Sequence, residues 1–527
     1  MDGAARDGGR TAAARRIGVV GAGTMGSGIA QLAVQSGAGC VLHDPDPAAL
    51  GRGVDAVARA LARSAERGRL TPAEAEAARE RLTPAAGLAD LAGCDLIVEA
   101  APERLDVKHA LLAELGAIAP DAVLASNTSS IPVTSLAAGA PDPTRVVGMH
   151  FFNPAPVMRL VEVVAGMDSS PEALALARAT GEAMGRRVID AADGPGFVVN
   201  RCNRPFNLEA QKLVTDGVAE VAAVDRVVRL GGGFRMGPFE LMDLVGMDTT
   251  MAVAESFHAL SFGEPRWRPS PLGARLVAAG RLGRKAGRGW YAYPPGRPED
   301  APEPAPAPVP GPPGDVVLLA GSVPLADVLF EAAAQAGWDV RSPSDAEGAV
   351  PFLCVDCGAD PDEPALQGGP QAVLVADGSL HQLDPGGSSV GFHLLPPLGG
   401  LVELTRGAGT APEAGRRAEA FFGSLGLRAE WVGDAPGLVL GRIACQLVNE
   451  AAFALQEGVA SAPDIDAGMQ LGLSHPRGPL AWADEIGLLH VLSVLDALHA
   501  ESGEERYRAA PLLRRMLAEE ATFHPSD

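Results

Sequence analysis

The sequence IGVVGAGTMGSG at residues 17–28 decides the fold of this chain, because an apolar run ends there in closely spaced glycines. The β-branched residues of the run are typical of a buried parallel strand, and helical apolar spacing begins at Ile29. A second short strand at residues 40–43 ends at Asp44. Strand, Gly-x-Gly-x-x-Gly, helix, strand and terminal acid together form the fingerprint of a dinucleotide-binding βαβ unit.

Each part of this fingerprint has its own physical role. Gly21 permits the tight turn, Gly23 lets the backbone approach a pyrophosphate, and Gly26 allows the helix to pack closely on the strand. We expect Asp44 to accept hydrogen bonds from the adenosine ribose; since a carboxylate repels a 2′-phosphate, NAD is favoured over NADP. The loop residues predicted to contact the cofactor are Gly21, Gly23, Thr24, Met25 and Gly26.

Composition excludes several classes of partner. The net charge of −22 argues against nucleic acid or an anionic membrane surface. No apolar run approaches the roughly 20 residues that a membrane span requires. The six cysteines are scattered, which favours a reducing cytoplasm over a disulfide framework. Cys354 and Cys357 form a C-x-x-C without a second pair at metal spacing, so we interpret them as small apolar residues and predict no metal site.

Strand and helix signals alternate along the first part of the chain. A helical stretch at about Ala48 to Arg81 is followed by predicted strands at 94–100, 122–125 and 145–149, the rhythm of a doubly wound parallel sheet. The pattern then turns helical as far as residue 293. A block rich in Pro, Ala and Glu comes next, and it is typical of a semi-extended linker.

An internal repeat follows the linker. The segments that start at Pro195 and at Pro436 share P-G-x-V, G-V-A, L-G and G-P at matching offsets, and the strands before them correspond as well. We therefore predict an α/β Rossmann domain plus an all-helical domain, followed by a degenerate second copy of both. The predicted parts are a disordered leader at 1–15, an NAD-binding Rossmann domain at 16–193, a helical domain at 194–293, a Pro/Ala linker at 294–314, a degenerate Rossmann-like domain at 315–434 and a second helical domain at 435–527.

Residues 15 to 293 resemble the 3-hydroxyacyl-CoA dehydrogenase family, which includes 3-hydroxybutyryl-CoA dehydrogenase. The resemblance rests on GAGTMG, VEAAPE, SNTSS, GMHFFNPAPVMRLVEVV, PGFVVNR and RLGRKAGRGWY. The duplicated layout and the ending GEERYRAAPLLRRMLAEE look most like the 3-hydroxyadipyl-CoA dehydrogenases of bacterial phenylacetate degradation. The resemblance implies NAD-dependent interconversion of (S)-3-hydroxyacyl-CoA and 3-oxoacyl-CoA, in fatty-acid or phenylacetate-type catabolism, with a CoA thioester as substrate.

His150 and Glu162 are the first candidate catalytic residues. His150 ends a buried strand, where doubly wound folds place reactive groups, and a neutral imidazole can take a hydroxyl proton while hydride leaves the adjacent carbon. Glu162 would orient the imidazole and stabilise the imidazolium. The resemblance implies that these two are the family's catalytic pair; the alternative is a core histidine beside an acid.

Further candidates match family positions near the substrate or the cofactor. Ser129 is expected to hold the substrate oxygen, or else to cap a helix. Asn200 is expected to steady charge on the thioester or the 3-oxygen, or else to bond neighbouring backbone. The resemblance places three charged residues near the cofactor, although the first two could also form an exposed charged helix face: Glu103, Lys108 and Lys285.

Arginines are the candidates for substrate recognition. Arg63 and Arg67 lie four residues apart, so they share a helix face and suit the phosphates of coenzyme A, unless the face is a solvated stripe. Arg204 lies one helical turn beyond Asn200 and is a candidate to reach an acyl carboxylate, or else to pair with Glu209.

The second copy departs from the pattern. Gly321-Ser322-Val323-Pro324 replaces the glycine loop and Gly441 stands where Asn200 would be, although His393 and Glu403 remain. We expect a non-catalytic scaffold that supplies the packing surface a single-copy enzyme obtains from a partner subunit. A homodimer, a homotrimer-type assembly and a monomer with an internal pseudo-dimer all remain open. The alternative functions are a non-catalytic NAD-binding scaffold and an L-gulonate-type hydroxyacid dehydrogenase, against which Arg63, Arg67 and the complete SNTSS argue.

Overall fold

The computed structural model describes residues 11–294, 315–346, 348–358 and 366–525. The chain forms two compact units. The first contains Met1–Arg201 and Gly458–Leu473, and the second contains Cys202–Glu457 and Ser474–Asp527. The predicted linker lies almost entirely outside the described residues, as do the first ten residues of the predicted leader. Among the residues described, none of the helices combines the length and the apolar character that a membrane span requires.

The first unit is built on an eight-stranded sheet of order β3-β2-β1-β4-β5-β6-β7-β8. Neighbouring strands are parallel except for β6 and β7, which are antiparallel. This sheet confirms the Rossmann prediction and adds strands at the edges that the sequence patterns did not locate. The strands are β1 (Arg16–Val20), β2 (Gly39–His43), β3 (Leu82–Pro84), β4 (Leu96–Glu99), β5 (Val123–Ser126), β6 (Val146–Phe151), β7 (Leu160–Ala165) and β8 (Arg187–Ala192).

The second unit contains a seven-stranded sheet of order β10-β9-β11-β12-β13-β14-β15. Its strands repeat the connectivity of the first sheet, including one antiparallel pair, β13 with β14. The degenerate copy therefore keeps the Rossmann-like sheet. Its strands are β9 (Val316–Ala320), β10 (Asp339–Arg341), β11 (Leu353–Asp356), β12 (Gln371–Leu374), β13 (Val390–His393), β14 (Leu401–Arg406) and β15 (Arg428–Trp431).

The α-helices cover the sheets and form the helical parts of both repeats. They are α1 (Thr24–Gln35), α2 (Pro47–Glu66), α3 (Pro72–Glu80), α4 (Leu105–Ile118), α5 (Val133–Ala137), α6 (Pro171–Ala183), α7 (Val199–Cys202), α8 (Arg204–Thr215), α9 (Val221–Leu230), α10 (Pro238–Val245), α11 (Met247–Leu260), α12 (Pro271–Ala278), α13 (Pro324–Gln335), α14 (Leu380–Leu383), α15 (Pro412–Ser424), α16 (Leu440–Gln456), α17 (Ala462–Leu473), α18 (Pro479–Ile486), α19 (Leu488–Ser502) and α20 (Pro511–Ala518).

Two local expectations were wrong. The single helix expected between Ala48 and Arg81 is the pair α2 and α3, because Gly68 has a positive φ of 68° and Thr71 begins a new helix with a capping box. The end of the expected disordered leader is ordered. Ala14 is buried and donates its N–H to the Thr180 hydroxyl, since the chain there already runs into β1.

Each unit contains a helix from the other half of the duplicated sequence. In the first unit, α17 of the second repeat packs on β7 and β8. In the second unit, α9 of the first repeat packs on β14. Arg226 of α9 also forms an ion pair with Glu430 of β15, with 2.7 Å between nitrogen and oxygen. Each sheet is therefore completed by a helix from the other repeat.

Helices of both repeats also share one core in the second unit, where α8 packs along α16. Two buried ion pairs connect the repeats there. Arg442 of α16 donates to Glu209 of α8 at 2.8 Å from Nε, and Arg266 pairs with Glu450 of α16 at 2.9 Å. Removing one partner of a buried ion pair strongly destabilises a protein, because the other charge then stays buried without a partner. These pairs therefore fix the register of the two central helices.

Candidate active site

The glycine loop leaves open space at only one of its three glycines. A Cβ at Gly21 would lie 2.5 Å from the Ala100 carbonyl oxygen, and one at Gly26 would lie 1.7 Å from the carbonyl oxygen of Gly21. Gly21 also has a φ of 99°, which disfavours any side chain. Gly23, the N-cap of α1, has no atom within 4 Å of a Cβ position. The loop thus fits a pyrophosphate against the helix N-terminus at Gly23.

Asp44 holds this loop in place. One of its oxygens accepts the N–H of Ala22 at 2.8 Å, and the other accepts the N–H of Asp46 at 3.0 Å. The sequence pattern assigned Asp44 only to the ribose and missed this contact. The carboxylate is half-buried, so it retains lone pairs at the surface beside the loop. Its ribose-binding role stays a prediction.

The counterpart loop in the second repeat keeps the glycine turn after its first strand, but it lacks the open space found at Gly23. Gly321 has a positive φ of 146°, and a Cβ there would lie 2.7 Å from the Cys357 side chain. Val323 replaces Gly23 as the N-cap of α13 and is buried, and Pro324 is the first helical residue. A buried valine therefore occupies the position where a pyrophosphate would approach, and the proline removes one N–H donor.

His150 and Glu162 face each other across the antiparallel strand pair β6–β7. Their side chains meet in a hydrogen bond of 2.5 Å between Nδ1 of His150 and Oε2 of Glu162. The other oxygen of Glu162 accepts the backbone N–H groups of Val198 and Val199, each at 3.0 Å. The carboxylate is fully buried, so these three hydrogen bonds replace the water that it loses on folding.

This contact sets which imidazole nitrogen can react. When the Nδ1–H of His150 donates to Glu162, Nε2 carries the lone pair and can accept a proton. The rings of Phe152 and Phe197 lie 4.6 Å and 5.9 Å from the imidazole, centre to centre. The histidine is only 6% exposed, which limits competition from water. The arrangement is that of a general base with an orienting carboxylate.

The Ser126–Ser130 loop follows β5, and a glutamate holds it from one side. A single oxygen of Glu103 accepts the Thr128 hydroxyl at 2.6 Å and the N–H groups of Ser129 and Ser130, each at 3.0 Å. Burial raises the pKa of Glu103, but these hydrogen bonds and the charge of Lys108 outweigh it and lower the pKa below its ordinary value. Glu103 therefore fixes the backbone that carries Ser129, a role that the sequence pattern did not reveal.

Lys108 is buried, so the alternative of an exposed helix face is wrong for this residue. Its ammonium lies 2.7 Å from Glu99 and 3.3 Å from Glu103. Glu99 also accepts the hydroxyl of Ser126 at 2.6 Å. Lys108 thus connects the end of β4 to the serine loop through two carboxylates.

Asn127 joins the serine loop to the strand of the candidate base. Its side-chain oxygen accepts the N–H of Phe151, the residue after His150, at 2.9 Å. Because β5 and β6 are parallel neighbours, their carboxyl ends meet at the same edge of the sheet. Ser129 and His150 therefore lie at one edge. Asn200 lies in α7, directly after the Val198–Val199 segment that binds Glu162.

The remaining candidates are two arginines of the first unit and two basic residues of the second. Arg63 lies in the last turn of α2, and Arg67 is the exposed C-cap of that helix. Lys285 and Arg204 belong to the second unit. Lys285 pairs with Asp248, and Arg204 is buried with its guanidinium 5.0 Å from the centre of the Phe257 ring. Glu209, the partner that the sequence suggested for Arg204, binds Arg442 and Tyr507.

The corresponding pair in the second repeat is disassembled. His393 and Glu403 are still opposite each other in register, but the Glu403 oxygens accept the N–H groups of Val439 at 2.7 Å and Leu440 at 2.9 Å. Nε2 of His393 lies 3.2 Å from Nε2 of His490, and its Nδ1 has no hydrogen-bond partner among the residues described. Burial lowers the pKa of His393 well below its usual value.

The position of His393 explains why residue 441, the counterpart of Asn200, is a glycine. A Cβ at Gly441 would lie 2.4 Å from Cε1 of His393. The imidazole of His393 therefore fills the space that an asparagine side chain would need at this position.

The C-x-x-C contributes no exposed thiol. Cys354 and Cys357 are both buried and unpaired. Burial raises the pKa of Cys354 to about 11 and raises that of Cys357 further. Neither thiol is therefore activated for redox or metal chemistry. Within the described parts of the chain, no group of His, Cys, Asp and Glu residues has the arrangement of a metal site.

Models of known protein families match most of this chain. The model of the 3-hydroxyacyl-CoA dehydrogenase NAD-binding domain matches residues 16–194. The model of the C-terminal domain of the same family matches twice, at residues 196–293 and 437–523. The chain belongs to the 3-hydroxyacyl-CoA dehydrogenase family. This membership confirms the resemblance noted from the sequence motifs and the NAD-dependent dehydrogenase class, and the double match agrees with the internal repeat.

Relatives in this family include chains with the same duplicated length. The 3-hydroxyadipyl-CoA dehydrogenase of Escherichia coli K12 is 34% identical over 95% of this chain and 96% of its own. A crystal structure of 3-hydroxybutyryl-CoA dehydrogenase from E. coli K12 matches with a TM-score of 0.81 and 34% identity, covering 96% of this chain and 99% of that one. The (S)-3-hydroxybutyryl-CoA dehydrogenase of Ralstonia eutropha is 40% identical, with a TM-score of 0.52, over 54% of this chain and all of its own.

The difference between the glycine loop and its counterpart in the second repeat predicts one cofactor site per chain. Titration calorimetry with NADH should give one site, because Val323 closes the second loop and Pro324 removes a donor. Gly23→Val, which places the same side chain in the first loop, should abolish that binding. The matched variant Val323→Ala should leave it unchanged. Two equivalent NADH sites in the unmodified chain would contradict this interpretation.

Glu403 predicts a pH-dependent stability. Burial raises its pKa to about 8, although two N–H groups oppose the shift, whereas a glutamate in an unfolded chain has a pKa of about 4.3. The native state then holds a proton that the unfolded state has released. The free energy of unfolding is therefore highest below the unfolded pKa and falls as the pH rises through about 8. Glu403→Gln should flatten this fall in urea unfolding between about pH 5 and pH 9; an unchanged slope would contradict the assignment.

Proposed function

We propose that this chain catalyses the NAD-dependent oxidation of (S)-3-hydroxyacyl-CoA to 3-oxoacyl-CoA. The observation that carries the proposal is the buried hydrogen bond between His150 and Glu162, in the same compact unit as the glycine loop. The names of the family relatives support this reaction, and the Ralstonia enzyme supports the S configuration.

The proposed proton path uses His150. Nε2 of His150 takes the proton of the 3-hydroxyl group as the C3 hydride leaves, so that the C–O single bond becomes a carbonyl. NAD, when bound, accepts that hydride. Glu162 stabilises the imidazolium that forms, and it does so without moving because Val198 and Val199 hold its second oxygen. In the reverse direction, His150 returns the proton to the carbonyl oxygen.

Ser129 and Asn200 complete the proposed site. The hydroxyl of Ser129 is positioned by the Glu103 hydrogen bonds to its loop and would donate to the substrate oxygen. The amide of Asn200 would bind the thioester or the 3-oxygen, since the helix that carries it starts at the Glu162 anchor. A non-catalytic NAD scaffold would need none of this arrangement, and the second repeat shows how such a pair looks when it comes apart.

The acyl group is proposed to be short or dicarboxylic. The full-length relative at 34% identity is named for 3-hydroxyadipyl-CoA, whereas relatives of half the length are named for 3-hydroxybutyryl-CoA. A panel that contains acetoacetyl-CoA, 3-oxohexanoyl-CoA and 3-oxoadipyl-CoA ranks the substrates by kcat/KM. A preference for the adipyl ester over the hexanoyl ester would place the chain in the dicarboxyl class. Arg204, which is buried with its guanidinium 5.0 Å from the centre of the Phe257 ring, stays the candidate to reach the acyl carboxylate.

We propose that the two repeats of the chain form an internal pseudo-dimer. The boundaries of its parts are those predicted from the sequence. The helix exchange between repeats supports this proposal, because each sheet already carries a helix from the other repeat. A cytoplasmic location is supported by the scattered spacing of the six cysteines, which does not suggest a disulfide framework.

Replacement of the base tests the reaction. His150→Gln should lower turnover of acetoacetyl-CoA by about 10² to 10⁴, the usual range for a general acid–base, while NADH affinity stays the same. The matched variant His393→Gln in the second repeat should leave turnover unchanged, because that histidine is bonded to His490 and not to a glutamate. Near-normal turnover in His150→Gln would remove His150 from the reaction.

The arginine pair tests coenzyme A recognition. Arg63→Ala with Arg67→Ala should raise KM for the CoA ester by about tenfold or more, since charge-assisted contacts to phosphate are lost. The KM for NADH should not change. Arg79→Ala, which removes an exposed arginine from α3, is the control for a general charge effect. Equal KM values in all variants would favour the solvated-stripe alternative.

A further inference from the structure

Helix α17 of the second repeat lies unusually close to the segment that binds Glu162. A Cβ at Gly472 would lie 3.0 Å from Cδ2 of Leu160 and 3.2 Å from Cγ1 of Val199. A Cβ at Gly468 would lie 3.1 Å from Cγ2 of Val199 and from Cδ1 of Ile189. These distances are shorter than ordinary carbon–carbon contacts, so only glycine allows this approach without displacing its neighbours.

The two glycines act on one face. They are four residues apart in α17, so they lie one above the other on the side that packs on the sheet, and both are buried. A glycine inside a helix destabilises that helix relative to alanine, because it loses more backbone entropy on folding. In return, the two glycines allow α17 to approach β7, β8 and the Val198–Val199 segment closely.

The contacts lead directly to the catalytic pair. Val199 is one of the two residues whose N–H holds the Glu162 carboxylate, at 3.0 Å. Leu160 precedes Glu162 by two residues on β7, so its side chain is on the same face of that strand. Gly472 therefore touches both sides of the Glu162 anchor, the strand that carries the carboxylate and the backbone that binds it.

We propose that Gly468 and Gly472 are positioning residues for the His150–Glu162 pair, so that the second repeat acts on the proposed catalysis of the first. By limiting the movement of Val199, α17 keeps two N–H groups on one Glu162 oxygen and leaves the other oxygen directed at Nδ1 of His150. The inference rests on the proposed function for its kinetic consequence, but the geometry it describes exists without substrate.

The second unit supplies a matched control. Gly231, at the end of α9, occupies the position in the first repeat that Gly472 occupies in the second. A Cβ there would lie 3.4 Å from Cδ2 of Leu440, the residue whose N–H binds Glu403. The contact with Leu440 is looser than the contacts of Gly472, and the atom nearest to the Cβ position is the Val227 carbonyl oxygen of α9 at 2.8 Å, so a side chain at Gly231 disturbs packing beside a pair that is already disassembled. Substitution at Gly231 therefore reports on packing alone.

The experiment compares Gly472→Val with Gly231→Val in the full-length chain. We expect Gly472→Val to lower kcat for acetoacetyl-CoA by about 10- to 100-fold, as a displacement near 1 Å can do, with an unchanged KM for NADH. The pH at which reduction falls to half its maximum should move to lower pH, because a displaced Glu162 stabilises the imidazolium less. Gly231→Val should leave kcat and the pH profile unchanged.

A compensating pair keeps the test independent of misfolding. Gly472→Ala adds only the Cβ, and Gly472→Ala with Val199→Ala removes the two Val199 methyl groups that it would meet at 3.2 Å and 3.3 Å. The single variant should show a smaller loss of kcat than the valine, and the double variant should recover part of it. If Gly472→Val fails to fold, as judged by circular dichroism, these two variants decide the question.

A readout without turnover separates this inference from the proposed function. In the chain labelled with ¹⁵N at its histidine rings, the Nδ1–H proton bonded to Glu162 gives a downfield signal, identified by its loss in His150→Gln. Gly472→Ala should shift or broaden that signal, and Gly231→Ala should not. If the unmodified chain reduces no 3-oxoacyl-CoA but the signal responds in this way, the positioning role stands and the proposed function fails. If kcat, pH profile and signal are all unchanged in the Gly472 variants, the positioning role is refuted.

Discussion

The buried carboxylate of Glu162 is the constraint on which the rest of the site depends. A charge at that depth persists only when donors replace the lost water, and three do so: Nδ1 of His150 and two backbone N–H groups. The donors come from β6 and from Val198 and Val199 at the start of α7, so the carboxylate connects the sheet to the start of the helical region. The position of Glu162 therefore depends on the fold of both segments.

The second repeat shows how the same fold persists once this constraint is relaxed. Glu403 keeps its two backbone donors but not its histidine, and His393 has instead paired with His490. Two further residues fit this altered state, since Val323 fills the loop and Gly441 leaves room for the imidazole of His393. The second repeat kept its sheet, its helices and its packing surfaces, because those depend on apolar burial and not on a charged pair.

The sequence predicted the parts of the molecule that local patterns determine. The glycine loop, the order of β1, α1 and β2, the duplication, and the pairing of His150 with Glu162 were all recognised from short motifs. Contacts between distant residues could not be found in this way. Nothing local indicates that Glu103 binds the serine loop, that Asp44 bonds Ala22, or that Lys108 is buried between two carboxylates. Gly68 and the Thr71 cap are local signals of a helix break, but the surrounding alanines and arginines favour helix on both sides of them.

The exchange of α9 and α17 between the repeats also has a consequence for concentration. When a separate subunit supplies the helix, the fraction of sites that carry it depends on protein concentration and falls on dilution. Here the helix belongs to the same polypeptide, and its effective concentration beside β7 and β8 is set by chain length alone. A duplicated chain thereby makes the integrity of one site insensitive to how many copies of the protein a cell contains.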